Sequence, residues 1–308
     1  MSLRLVPPLP SGTPGDPGLT GPGSMVWRVS RERVVPLGGL SALLLQLAHP
    51  LVAAGVAEHS SFRGDPTKRL MLTLEMLLVT MFGDVRQAGE MTQRIANIHR
   101  AVHGTLPQDT GGWRRGTHYS ATSPELCFWV YATIIETSLN SYSTFVHPLD
   151  MTERAEFYRE SERWGQLYGV GKDVRPVSYQ DFRDRYARTL SGLLADDQAR
   201  SVARMILRAR LRGIPIRPWS YLLAAGLLPA PLRTQYGLRW SAVQRALWWV
   251  FTHAVHVVMC RLAPARLRFW DHYRVAVMRC RAAAPDQAPL CPPSRLSSTG
   301  TGSAASRG

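Results

Sequence analysis

The chain has 308 residues, of which 45% are hydrophobic and 19% charged. That composition supplies a substantial core and excludes disorder of the main body. The net charge is +15, and Lys68 and Lys172 are the only lysines among 37 basic residues; no basic block stands out, the nearest being Arg204–Arg212, so the charge alone does not make a nucleic-acid binder. An arginine-rich surface equally suits anionic lipid, the carboxylates of a cofactor, or the codon bias of a GC-rich genome. Cys127, Cys260, Cys280 and Cys291 form no CxxC pair, which points away from zinc and disulfides and towards a reducing, cytoplasmic compartment. Cys127 sits in an apolar run and reads as a small core residue.

Residues 1–24 are rich in Pro and Gly, lack the apolar centre of a signal peptide, and read as a flexible tail. Residues 25–283 form the organised domain, and 284–308 read as a second disordered tail. Within the domain, 38–56 is an apolar helix broken at Pro50. Asp65-Pro66-Thr67 opens a helix over 68–82 that Gly83 ends. It is apolar nearly all round, which predicts burial. A helix follows over 85–102.

Residues 105–119 carry Pro, Gly and Asp without an apolar period and read as a loop. Helices then fit 123–142, 152–167, 179–193, 196–212, 241–262 and 264–281, with an irregular stretch at 215–240 holding one or two short helices. No alternating strand pattern of useful length is present. The fold class is all-α, a single multi-helix domain. Ala246–Met259 is apolar but shorter than the ~20 residues of a spanning helix. It reads as a buried core helix, although Trp248, Trp249 and neighbouring arginines also suit peripheral membrane contact.

The helix over 85–102 carries the most chemistry. Met91, Ile95, Ile98 and Val102 define one apolar face. At ~100° per residue, His99 lies roughly 70° from its centre and His103 roughly 110°. An imidazole directed into an apolar slot can supply an axial bond to haem iron. A lone histidine there is more often a core residue with a satisfied hydrogen bond. His99 and His103 also form an i, i+4 pair, but Arg100 stands where a zinc protease motif needs glutamate. Arg69 and Thr73 share a face of the preceding helix. A buried arginine needs an anion, whether a propionate, a carboxylate or reduced oxygen; a first-turn surface arginine needs none. The small residues around 52–57 allow close approach of a flat ligand or tight helix packing, and His49 and His59 are further candidate ligands or donors.

Several elements occur in one order: Gln46 to Phe62, Arg69-x-x-x-Thr73, Phe82-Gly83-Asp84, His99-x-x-Val102-x-Gly104, Tyr119-Ser120-Ala121-x-x-Pro124-Glu125, Trp129-Val130, and later Leu228-Pro229-x-x-Leu232-Arg233. Together they resemble the catalytic domain shared by latex-clearing rubber oxygenases and the oxygenases of mycophenolic acid biosynthesis. The resemblance implies an all-α haem b enzyme that uses dioxygen to cleave alkenes in isoprenoid chains. It makes His99 the proximal iron ligand, with His103 as fallback, and places Arg69 and Thr73 beside haem or oxygen, with His49 a further cofactor contact. Glu58 and Glu75 are candidates for a catalytic base. Rubber-cleaving members carry lysine directly before the threonine, where this chain has Leu72, so the sixth iron position should be open or water-bound. With no export signal read, a small hydrophobic or membrane-dissolved lipid substrate fits better than a polymer. A haem or hydrophobic-ligand binding protein without turnover is the alternative.

Overall fold

The computed structural model describes residues 6–59, 66–208, 210–211, 214–215 and 219–282; Asp65 and the tail expected at 284–308 lie outside the described residues. The fold is all-α. The longest helix, α6 (Pro124–Phe145), begins at a proline suited to the first helical turn and runs through the interior. Phe128, Tyr131, Ile135, Leu139 and Phe145 on it are at most 2% exposed.

Around it, α1 (Met25–Ser30), a 3₁₀ turn (Val35–Gly38), α2 (Gly39–Leu47) and α3 (Pro50–His59) form one side. The break expected at Pro50 is present, and α2 and α3 meet at 107°. Proline has no N–H to continue the helical ladder, so the chain can turn there. Among the described residues no single helix is long and apolar enough to cross a membrane.

α4 (Pro66–Phe82) and α5 (Val85–Arg100) form a helical hairpin. Asp84 caps α5, accepting from the Gln87 N–H at 2.7 Å while the Gln87 side chain accepts from the Asp84 N–H. α4 is less buried than its composition predicts. Leu70, Met71 and Leu72 are half-buried and Thr73 is exposed, because α4 packs mainly through its C-terminal half, where Leu78, Met81 and Phe82 enter the core.

Residues expected as a loop between α5 and α6 form a short antiparallel hairpin, β1 (His103–Thr105) with β2 (His118–Ser120), pairing Gly104 with Tyr119. Each strand is three residues long, too short for an alternating pattern to register in the sequence. α7 (Met151–Glu160) and α8 (Glu162–Leu167) replace one expected helix. The break falls at Ser161, whose hydroxyl is engaged by the Tyr131 hydroxyl and the Tyr158 carbonyl, each at 2.6 Å.

α9 (Tyr179–Ser191) and α10 (Asp197–Leu207) end before the positions expected from composition, and a second hairpin, β3 (Arg210–Leu211) with β4 (Ile214–Pro215), follows. The stretch read as irregular holds α11 (Trp219–Leu227) and α12 (Ala230–Gln235). α13 (Ala242–His256) continues into a π-helical turn (Val257–Leu262). It is half-buried, not the core helix expected: Trp248 and Phe251 pack on Phe145 while Leu247, Trp249 and Val250 are more than half exposed.

The last expected helix is two, α14 (Ala265–Arg268) and α15 (Asp271–Arg281). Between them the Trp270 N–H donates to the Arg31 carbonyl at 3.0 Å, tying the break to the N-terminal region. Beside it, fully buried Glu32 accepts two hydrogen bonds from Arg268, at 2.7 and 2.8 Å.

The flexible tail read over 1–24 is corrected for residues 6–24. Val6 and Leu9 are 8% and 5% exposed within the main core. The Thr13 N–H donates to Asp84 Oδ2 at 2.7 Å, and the Gly15 N–H to the Arg279 carbonyl at 2.8 Å. The glycines shape this strap: Gly18 has φ +73°, and a β-carbon there would collide with the Gly83 carbonyl.

Candidate functional site

The α4–α5 hairpin positions two charged or titratable groups. Arg69 lies near the start of α4 and His99 near the end of α5. At ~1.5 Å per residue, both are about 20 Å from the turn at Gly83–Asp84. The hairpin therefore brings them level, and both line one cavity of about 190 Å³. An engineered apolar cavity of about 150 Å³ admits a benzene ring, so this space suits an organic group and is not merely a water site. It has an opening to solvent, because Ile98 on its wall is 37% exposed.

The other walls are largely apolar. α3 contributes Leu51, Val52 and Val56, and α6 contributes Leu126, Val130 and Ile134. Gly55 permits the close approach of α3 to the β1–β2 strand pair and the residue before it, since a β-carbon there would stand 3.3 Å from Val102 and 3.5 Å from the Tyr119 ring. Trp164 of α8, together with Tyr131 and Tyr168, closes the far side. The Tyr168 hydroxyl is bonded to Thr80 at 3.0 Å, and burial pushes its pKa up to about 12. Neutral aromatic groups thus face the space.

His99 contributes a histidine side chain to the cavity wall. Burial holds its pKa below the ordinary histidine value, and the nearby positive charge of Arg69 lowers it further. The imidazole is therefore neutral near pH 7, which is the form that donates a lone pair to a metal. Burial also lowers the pKa of Arg69 from its very high ordinary value, which leaves the guanidinium charged.

Tyr119, His59 and Glu58 form a polar edge to the cavity. The Tyr119 hydroxyl donates to Glu58 Oε2 at 2.5 Å and lies 3.4 Å from His59 Nε2. Burial and the adjacent carboxylate raise the phenol pKa. The phenol is buried, whereas Glu58 is exposed, so the pair joins the cavity to solvent.

The residues expected from the sequence divide. His99 and Arg69 are brought together. Thr73 is not: it is exposed and its hydroxyl donates to the Arg69 carbonyl at 3.1 Å, within its own helix. Leu72 is half-buried and does not line the cavity. His103 lies beyond the end of α5, exposed on β1, where its carbonyl is 3.0 Å from His59 Nε2. The i, i+4 relation with His99 fails because the helix stops at Arg100.

His49 sits at the corner between α2 and α3, its ring 6.1 Å from that of Trp113, outside the cavity. Burial pushes its pKa down to about 4. Glu75 does not line the cavity either. Val130 belongs to an element quoted from the sequence, but the contributions of Ile134, Trp164 and Tyr168 were not singled out there, although the i, i+4 spacings Val130–Ile134 and Trp164–Tyr168 are visible. Among the described residues, no three of His, Cys, Asp or Glu gather as a metal-binding cluster.

Comparison with known proteins matches residues 27–257 to the family model described as "ER-bound oxygenase mpaB/B'/Rubber oxygenase, catalytic domain". Two similar relatives are uncharacterized proteins of Mycobacterium bovis and Mycobacterium tuberculosis. Each is 26% identical over 245 residues, covering 74% of this chain and 92% of the relative. No solved structure matches.

Proposed function

Because this chain belongs to the mpaB/rubber oxygenase catalytic-domain family, we propose that it is a haem-b-dependent oxygenase acting with dioxygen on an apolar, isoprenoid-like or lipid-like substrate. The observation that carries this reading is the placing of a neutral imidazole, His99, and a guanidinium, Arg69, in one cavity with apolar walls. An iron porphyrin needs one strong protein ligand, apolar cover and a cation for its acidic substituents. In donor chemistry the residues present fit those needs: His99 would hold the iron, and Arg69 would meet the acidic substituents. The group, when bound, supplies one-electron and dioxygen chemistry.

The protein's own residues supply the rest. Apolar side chains on α3 and α6 hold a hydrocarbon chain and exclude water. The fixed positive charge of Arg69 stabilises negative charge arising at oxygen or pairs with a carboxylate. The Tyr119 hydroxyl keeps its proton at neutral pH and can pass it to Glu58 at 2.5 Å as it takes up another, which makes the pair a route for a proton between cavity and solvent.

The test is dioxygen uptake by the haem-loaded protein across a panel of prenyl alkenes of increasing chain length, with carbonyl products captured by hydrazine derivatisation. Uptake that depends on the alkene and yields carbonyl products is expected. Full haem loading without uptake for any alkene would instead support a binding protein without turnover.

A further inference from the structure

The α13 helix and the turn after it present a face that neither the cavity nor the core uses. Val243, Leu247, Trp249, Val250, Val257 and Val258 are 65, 53, 61, 56, 46 and 52% exposed. At ~100° per residue, they and Ala246, His253 and Ala254 occupy one outward arc of roughly 180°. The one charged residue on that arc is Arg261, at its C-terminal end, where a long side chain reaches past the apolar surface to a headgroup layer. Leu262 at the end of the π-helical turn and Leu267 on α14 are also exposed, at 71% and 56%. A contiguous apolar surface of this kind marks an interaction site.

The charge around the face identifies the occupant. Exposed arginines lie at both ends, Arg239 and Arg245 before and within the first turns, Arg261 and Arg266 after the last. From residue 198 to residue 270 the sequence has twelve arginines and no Asp or Glu. Apolar residues at the centre, tryptophan beside them and arginine at the margins are the arrangement of a helix lying in a lipid headgroup layer. A nucleic acid would need cations at the centre, where its phosphates run. A second copy would place arginines against arginines in either helix orientation, with no local carboxylate to pair them.

We infer that this face docks on an anionic phospholipid surface, with the apolar arc entering the acyl boundary and the flanking arginines at the headgroups. Contact is peripheral, and it stands independently of the cofactor reading.

The test is co-sedimentation of the full chain with phosphatidylcholine vesicles and with vesicles of equal parts phosphatidylcholine and phosphatidylglycerol. Binding is expected only to the anionic vesicles, weakening as salt is raised. The double variant Leu247→Glu, Val250→Glu should bind about a hundredfold more weakly, with its melting temperature unchanged because both side chains are exposed. Arg261→Glu with Arg266→Glu should weaken binding in the same direction. Failure to bind anionic vesicles, or undiminished binding by the Leu247/Val250 variant, would overturn the inference. So would a dimer in sedimentation analysis that the same pair of substitutions dissolves.

Discussion

His99 and His103 are four residues apart, yet α5 ends between them and only His99 reaches the cavity. A similarly local relation governs the polar edge. Tyr119→Phe removes one hydroxyl and disconnects Glu58 from the cavity. With proton transfer through that pair, turnover should fall by about 10²-fold while haem affinity stays unchanged; steady-state oxygen uptake beside a haem titration separates the two. Gly104 shows how tightly the edge is built, since a β-carbon would stand 2.7 Å from the Tyr119 hydroxyl. Elsewhere, Arg268→Ala would leave the fully buried Glu32 without its bidentate partner. The loss of stability should be about 3–5 kcal/mol by urea denaturation, because the remaining carboxylate must either stay charged in the core or take up a proton.

At the scale of elements, the α4–α5 hairpin matters most, and Asp84 is its pivot. Asp84 is fully buried and accepts from both Gln87 and Thr13, so it caps α5 and fastens the N-terminal strap. Asp84→Ala should destabilise by about 2 kcal/mol and admit protease to residues 6–24, read as an early cleavage in limited proteolysis. Helix positions followed from caps and apolar spacing, and so did the break at Pro50. The hairpin also placed Arg69 and His99 level in a way that residue counting alone can reproduce. What the sequence concealed was tertiary. The breaks at Ser161 and at Phe269–Trp270 depend on partners far along the chain, Tyr131 and Arg31. The strap over 6–24 has turn-rich composition like any tail, and only its contacts with Asp84 and Arg279 distinguish it. Thr73 and His49 were legible as polar residues near the right segments, but the rotation of α4 and the corner between α2 and α3 direct them elsewhere.

The whole molecule joins two apolar clusters through α6, with Phe128 and Tyr131 in one and Trp129 in the other. The cavity lies beside that junction, and buried histidines occur both near it and far from it. Burial pushes the pKa values of His49 and His272 from 6.5 down to about 4. Unfolded, each imidazole takes up a proton near its ordinary value, so the unfolded chain holds more protons between those limits. Stability therefore falls as pH drops from about 6.5 towards 4, by at most about 1.4 kcal/mol per pH unit for each histidine. Both ring nitrogens of His272 lack a hydrogen-bond partner, so His272→Phe should flatten part of that slope in melting temperatures recorded against pH. The charge of the molecule is also uneven, with no carboxylate between residues 198 and 270, which sets the face of α13 apart from the cavity side. A haem titration followed by absorption tests most directly whether the His99 imidazole holds the proposed iron porphyrin in the cavity. Wild type and His103→Ala should give a Soret band at one equivalent of haem, and His99→Ala should lose it or bind far more weakly. Equal titrations for wild type and His99→Ala, both proteins being folded, would contradict the account.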